Sequence, residues 1–133
     1  MTTSTLIALF MAASVTHHLP KGLLSAVCYV ESRHNPAAIH HDDGSQNSLG
    51  VCQIQPRTAR FMGFRGTDKD LMAPSTNVEY SARYLKYQLT RYDGDVFKAV
   101  SAYNAGSYRA KADDLPANGD YVLNVLRAHK EGK

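Results

Sequence analysis

Along most of the chain, apolar residues recur at helical rather than strand spacing. Val78, Ala82, Leu85 and Leu89 fall on one stripe when each residue is turned by about 100°, which predicts a helix over Thr76–Tyr92 with that stripe against a core. Tyr80, Tyr84 and Tyr87 lie on roughly the opposite side, so this helix either is buried twice or presents aromatic rings to a groove, with burial on both sides the expectation. Val122, Val125, Leu126 and His129 give one apolar side to a final helix over Gly119–Lys130. Near the start, Thr5–Thr16 reads as a short helix interrupted at Leu19-Pro20. Lys21–Ser32 reads as a second helix, ended by Asn35-Pro36 because a residue before proline avoids the helical region. Pro56–Met62 has proline near its start and Gly63 at its close, and Val96–Tyr103 runs into Asn104-Ala105-Gly106, a stop in the place where glycine is favoured. Gly63–Pro74 reads as a connecting loop.

One stretch departs from this pattern. HHDDGSQNS, from His40 to Ser48, is dense in turn formers and is followed by LGVCQIQ, which predicts a hairpin-like loop feeding a short extended segment. Five or six helices and one small hairpin make the expected fold α+β and predominantly helical. The 133 residues suit a single domain over 1–133, with no repeat and nothing that reads as a linker.

Composition changes this picture little. Hydrophobic residues make up 44% and charged residues 20%, as in ordinary globular proteins and unlike disordered or collagen-like chains. Fifteen Lys+Arg against twelve Asp+Glu leave a net charge of +3, which suits a polyanionic partner. The basic residues are scattered and form no nucleic-acid-binding motif, so no nucleic-acid partner is expected. The apolar stretch Leu6–Ala13 lacks a basic flank and falls far short of the roughly 20 residues that span a bilayer, so it predicts neither an integral membrane segment nor a signal peptide. Cys28 and Cys52 both sit in apolar runs, where buried free thiols are the expectation.

The candidate chemistry begins with Glu31. On a helical wheel that places Leu23, Val27 and Val30 on the core line, Glu31 lies at the edge with Leu24 and Cys28 beside it. Apolar neighbours disfavour the charged carboxylate, so a shielded head here has a raised pKa and holds a proton near neutral pH, as a general acid at a glycosidic oxygen requires. The competing reading is a helix-end glutamate paired with Arg33 or facing water. His34, His40 and His41 with Asp42 and Asp43 are metal-ligand types, but their spacing matches no metal motif, and neither a metal nor another cofactor is expected.

Four blocks change the weight of Glu31. ESRHNPAAI, SLGVCQIQPRTA, NVEYSARYL and AVSAYNAG occur in this order between Gly22 and Gly106. Together they resemble the soluble lytic transglycosylases with a goose-type lysozyme-like fold. The resemblance implies a lysozyme-like domain acting on peptidoglycan glycan strands, at the β-1,4 bond between N-acetylmuramic acid and N-acetylglucosamine. It implies that Glu31 first protonates the leaving oxygen and then, as base, takes the proton of the C6 hydroxyl as that oxygen closes on C1, leaving a 1,6-anhydro end. It also implies substrate contacts from Ser48, Gln53, Ile54, Tyr103 and Asn104, with Tyr103 near the catalytic carboxyl. Four positions depart from the family pattern: Val51-Cys52 stands where Leu-Met is usual, Leu49 takes the place of a serine with Ser48 one residue earlier, and Ala117 stands where an acidic residue often precedes the tyrosine of Asp120-Tyr121-Val122.

Two other readings remain open at this point. Asp42 or Asp43 positioning a water opposite Glu31 would make an inverting muramidase, and a groove kept without its chemistry would make a wall-binding module. The expected setting is the cell wall or periplasm, reached as part of a phage virion, a phage lysis protein or a secretion-system component, by a monomer.

Overall fold

The computed structural model describes residues 1–41, 46–111, 113 and 115–133. Among these, seven helices and one two-stranded sheet follow in the order α1 (Thr3–Thr16), α2 (Leu23–Ser32), β1 (Ile39–His41), β2 (Asn47–Leu49), α3 (Pro56–Phe61), α4 (Asp68–Met72), α5 (Pro74–Arg91), α6 (Val96–Ala105) and α7 (Gly119–Lys130). Local chemistry sets most of the boundaries. The Thr2 hydroxyl accepts from the Thr5 amide at the start of α1, and the Asp95 carboxylate accepts from the Lys98 amide at the start of α6, each satisfying an N–H with no partner inside the helix. Prolines open α3 and α5. Gly106, at φ +87°, ends α6.

The segment expected to be a loop from Gly63 to Pro74 contains α4. Thr67 and Asp70 form a reciprocal capping box, the Thr67 hydroxyl accepting from the Asp70 amide and the Asp70 carboxylate from the Thr67 amide. This nucleates a helix too short to show an apolar period.

Two groups of buried side chains hold the fold. The larger, with Leu23, Val27, Val51, Val78, Leu85, Val100, Val122 and Val125, joins α1, α2, α5, α6 and α7; the smaller, with Leu49, Ile54, Ala59, Phe64 and Leu71, sits under α3, α4 and β2. α2 packs on α7 and α5 on α6. On α2 the fully buried side is Leu23, Leu24, Ala26, Val27 and Cys28, whereas Val30, expected on the core line, is only half-buried at its edge. The second side of α5 is likewise not closed over: Tyr80 and Tyr84 are half-buried and Tyr87 is exposed. No helix among the described residues is long and apolar enough to cross a membrane.

β1 and β2 pair antiparallel with Ile39 opposite Leu49 and His41 opposite Asn47. After β2 the chain turns tightly, Leu49 and Ile54 exchanging both backbone hydrogen bonds. This turn spans the two cores, since Leu49 and Ile54 belong to the smaller and Val51 and Cys52 to the larger.

Cys28 and Cys52 are not free thiols. They form a disulfide across 24 residues of sequence, tying α2 to the turn. Both are fully buried, as their apolar neighbours indicate, but α2 brings their Cα atoms to 4.3 Å, a tertiary fact that local sequence does not carry.

Candidate functional site

The site is built around the turn after β2, and that turn is held from every side. Asn77, fully buried on α5, accepts from the Cys52 amide at 2.9 Å and donates to the carbonyls of Leu49 (2.8 Å) and Leu71 (2.9 Å). Its amide replaces a piece of secondary structure, giving turn groups the partners that burial demands. Gly50, at φ +78°, passes so close to the Asn77 amide that no side chain would fit between them. The Ser32 hydroxyl donates to the Val51 carbonyl at 2.6 Å and the Tyr103 hydroxyl to the Cys52 carbonyl at 3.0 Å. With the disulfide, residues from three sequence blocks therefore converge on the fourth.

Glu31 stands in the last turn of α2, beside this turn. The Tyr121 hydroxyl, from α7, donates to its Oε2 at 2.8 Å. Arg33 does not pair with it: backbone in the left-handed region at φ +59° carries Arg33 to the Tyr29 hydroxyl, 2.6 Å from Nη1. Among the described residues the salt bridges join only His17 and Arg83 to Glu79. Burial, only partly offset by the bond from Tyr121, pushes the Glu31 carboxyl up to about 7, because desolvation penalises the anion more than one neutral donor stabilises it. Burial and then the charge of Glu31 raise both Tyr103 and Tyr121, which keeps these phenols protonated and able to donate.

A cavity of about 330 Å³ opens at Glu31, lined also by Ser48, Gln53, Ile54, Tyr103 and Asn104, and by Gln55, Thr58 and Tyr84. All six residues singled out in the sequence thus meet at one surface. Ser48 reaches it although it lies one residue before the family's usual serine, because a strand alternates its side chains and sends Leu49 into the core. Gln53, at φ +53° and buried, donates through Nε2 to the carbonyls of Ala38 (3.0 Å) and Gly50 (2.9 Å). Two acceptors on the nitrogen fix the amide's orientation and leave its buried Oε1 without a partner in the protein. The Asn104 Oδ1 accepts from the Asn118 Nδ2 at 2.9 Å. Glu31 is the sole carboxylate lining the cavity among the described residues.

Sequence reasoning missed the roles of two residues. Tyr121, quoted only within the resemblance at the last helix, stands 90 positions from the carboxylate it touches, and Asn77 lies next to the apolar stripe of α5 with no local sign of its three bonds. The histidines do not converge. His34 packs on Phe10 and bonds the Ser25 carbonyl, and His41 faces Asn47. Asp42 and Asp43 lie outside the described residues.

Residues 8–118 match the Transglycosylase SLT domain family. The chain belongs to this family. The SLT domain is similar to the peptidoglycan transglycosylase gp16 of Escherichia phage T7, 32% identical over 119 residues that make up 86% of this chain and 9% of that one. It is also similar to protein IpgF of Shigella flexneri, 28% identical over 124 residues, 91% of this chain and 81% of the relative. Among solved structures, an inactive glutamate-to-glutamine mutant of the lytic transglycosylase Slt from Pseudomonas aeruginosa superposes with a TM-score of 0.78 at 20% identity, over 94% of this chain and 23% of that chain. The 70 kDa soluble lytic transglycosylase of Escherichia coli gives 0.65 at 21% identity, over 94% and 19%. The SLT domain thus spans a small part of the phage relative and of both solved chains. The α+β, predominantly helical, lysozyme-like fold expected from the sequence is the one these structures share.

Proposed function

We propose that this SLT domain is a peptidoglycan lytic transglycosylase in which Glu31 acts first as acid and then as base. One observation carries the reading: a carboxyl whose pKa lies near 7 faces a cavity that contains no second carboxylate among the described residues. Such a group is protonated often enough at neutral pH to donate, and basic enough once ionised to accept. In the first step the Glu31 proton passes to the glycosidic oxygen as the C1–O bond breaks, releasing the N-acetylglucosamine 4-hydroxyl. In the second, the Glu31 carboxylate takes the C6 hydroxyl proton as O6 bonds to C1, which restores the acid and leaves a 1,6-anhydromuramoyl end. The 2-acetamido group of the substrate assists.

The other residues bind and hold. Gln53 Oε1, oriented by its two donated bonds, accepts an N–H or O–H from the sugar, and the Asn104 amide nitrogen faces a substrate oxygen. Tyr103 positions the turn through the Cys52 carbonyl, while Tyr121 holds Glu31. Ser48 and the backbone at Ile54 line the path of the strand. The phage T7 relative, itself named a peptidoglycan transglycosylase, supports the wall as the place of action.

Digestion of purified peptidoglycan followed by product mass tests this. Anhydro ends, one water lighter than hydrolysed ends, are expected; reducing ends alone would replace the transglycosylase by a hydrolase.

A further inference from the structure

An aromatic pair lies just outside the cavity. α3 places Thr58 on the cavity wall and Phe61 one turn further on; α5 does the same with Tyr84 and Tyr87. Residues three apart on a helix share a face, so both helices carry the wall outward in the same way. The two outer residues meet, Phe61 edge-on to Tyr87 with ring centroids 5.3 Å apart, while Tyr87 lies parallel to Tyr84 at 6.3 Å. Phe61 is 66% and Tyr87 38% exposed. Two touching aromatic rings left in water are an unusual use of a surface, because each gives up the stabilisation that burial would bring. Their alignment with the cavity supplies a reason.

We infer that Phe61 and Tyr87 form a saccharide-stacking platform that continues the cavity and takes the glycan strand beyond the sugars held at Glu31. This rests on the glycan-cleaving reading above. A pyranose ring presents a face of C–H groups that matches an aromatic face, and a β-1,4-linked strand leaving the cavity past Tyr84 meets the pair next. Beside Tyr87, Lys86 and Arg91 line an open groove of about 620 Å³, where acidic groups carried by the strand would find cations. Peptide-free strands keep a free lactyl carboxylate on each N-acetylmuramic acid, so the stacking contribution is read cleanly in salt high enough to screen these cations.

The test uses the whole chain with Glu31→Gln, so that binding is measured without cleavage, and peptide-free wall glycans of increasing length in such salt. Adding Phe61→Ala and Tyr87→Ala is expected to weaken binding about tenfold for long strands and less than twofold for the shortest ones that bind, with Tyr87→Phe restoring most of the loss. A loss equal at all lengths, or absent at all lengths, overturns the platform while leaving the cavity reading intact. A parent that binds no glycan at any length removes the reading itself and the platform with it. A parent that is dimeric in solution and becomes monomeric when the two rings are removed assigns the pair to self-association and overturns the platform.

Discussion

Glu31 and Glu79 are the same side chain set into two parts of one fold, and their acidities move in opposite directions. At the outer edge of α5, burial raises the Glu79 carboxyl, but the hydrogen bonds and charges of Arg83 Nε at 2.7 Å and His17 at 3.0 Å outweigh it and hold the group below the usual value. At the end of α2, burial acts on Glu31 against a single neutral phenol, and the carboxyl rises to about 7. What separates an acid–base from a structural anion here is the company it keeps. A desolvated carboxylate with a guanidinium beside it stays ionised, and one with only a hydroxyl retains its proton.

The largest test replaces Glu31 by Gln. Clearing of purified walls should fall by at least about a thousandfold, while the folded protein becomes more stable at high pH. Because the native pKa lies above the ordinary 4.5, the folded state binds this proton more tightly than the unfolded chain. Its contribution to stability is complete below about pH 4.5 and disappears as pH rises through about 7. Denaturant melts should therefore favour the Gln variant by roughly 3 kcal/mol at pH 8 and by almost nothing at pH 4. A variant no more stable than its parent at pH 8 would mean that the Glu31 carboxylate is solvated in the native protein.

Of the two glutamates only Glu31 was singled out in the sequence, and its setting was half legible there. Apolar neighbours on α2 pointed to a shielded Glu31, and the bounds of α7 follow the apolar spacing of its residues. The absence of a cation at Glu31 was not legible, because Arg33 leaves through a left-handed backbone that Asn35-Pro36 announces only as a helix end. Tyr121 was quoted by resemblance but reaches Glu31 only through the packing of α7 on α2. For Cys28 and Cys52, apolar surroundings indicate burial and say nothing of bonding, which depends on a Cα separation set by the whole fold. Asn77 was invisible for the same reason: a buried polar residue beside a core stripe shows its purpose only when the turn that it satisfies is in place.

A smaller effect separates the two influences on Glu31 itself. Tyr121→Phe deletes the one interaction among the described residues that favours the anion, so the Glu31 pKa should rise further and the alkaline limb of kcat/KM should move to higher pH. Activity at neutral pH should fall by about tenfold or less, because the base in the second step loses its anchor. An unchanged limb would show that the hydroxyl does not bond the carboxylate during turnover.

The smallest effect belongs to Glu79, and its sign should be the reverse of that at Glu31. With a native pKa below the ordinary value, the folded state releases the Glu79 proton more readily than the unfolded chain. The contribution is present above about pH 4.5 and is lost as pH falls through the native pKa. The carboxylate is 35% exposed, and water screens much of the pairing, so Glu79→Gln should cost under about 1 kcal/mol at pH 7. That cost should shrink in acid, and wall-clearing activity should stay near the parental level. If Glu79→Gln instead stabilised the protein at pH 7, burial would be the stronger influence at α5 as it is at α2, and the two carboxylates would differ in degree rather than in kind.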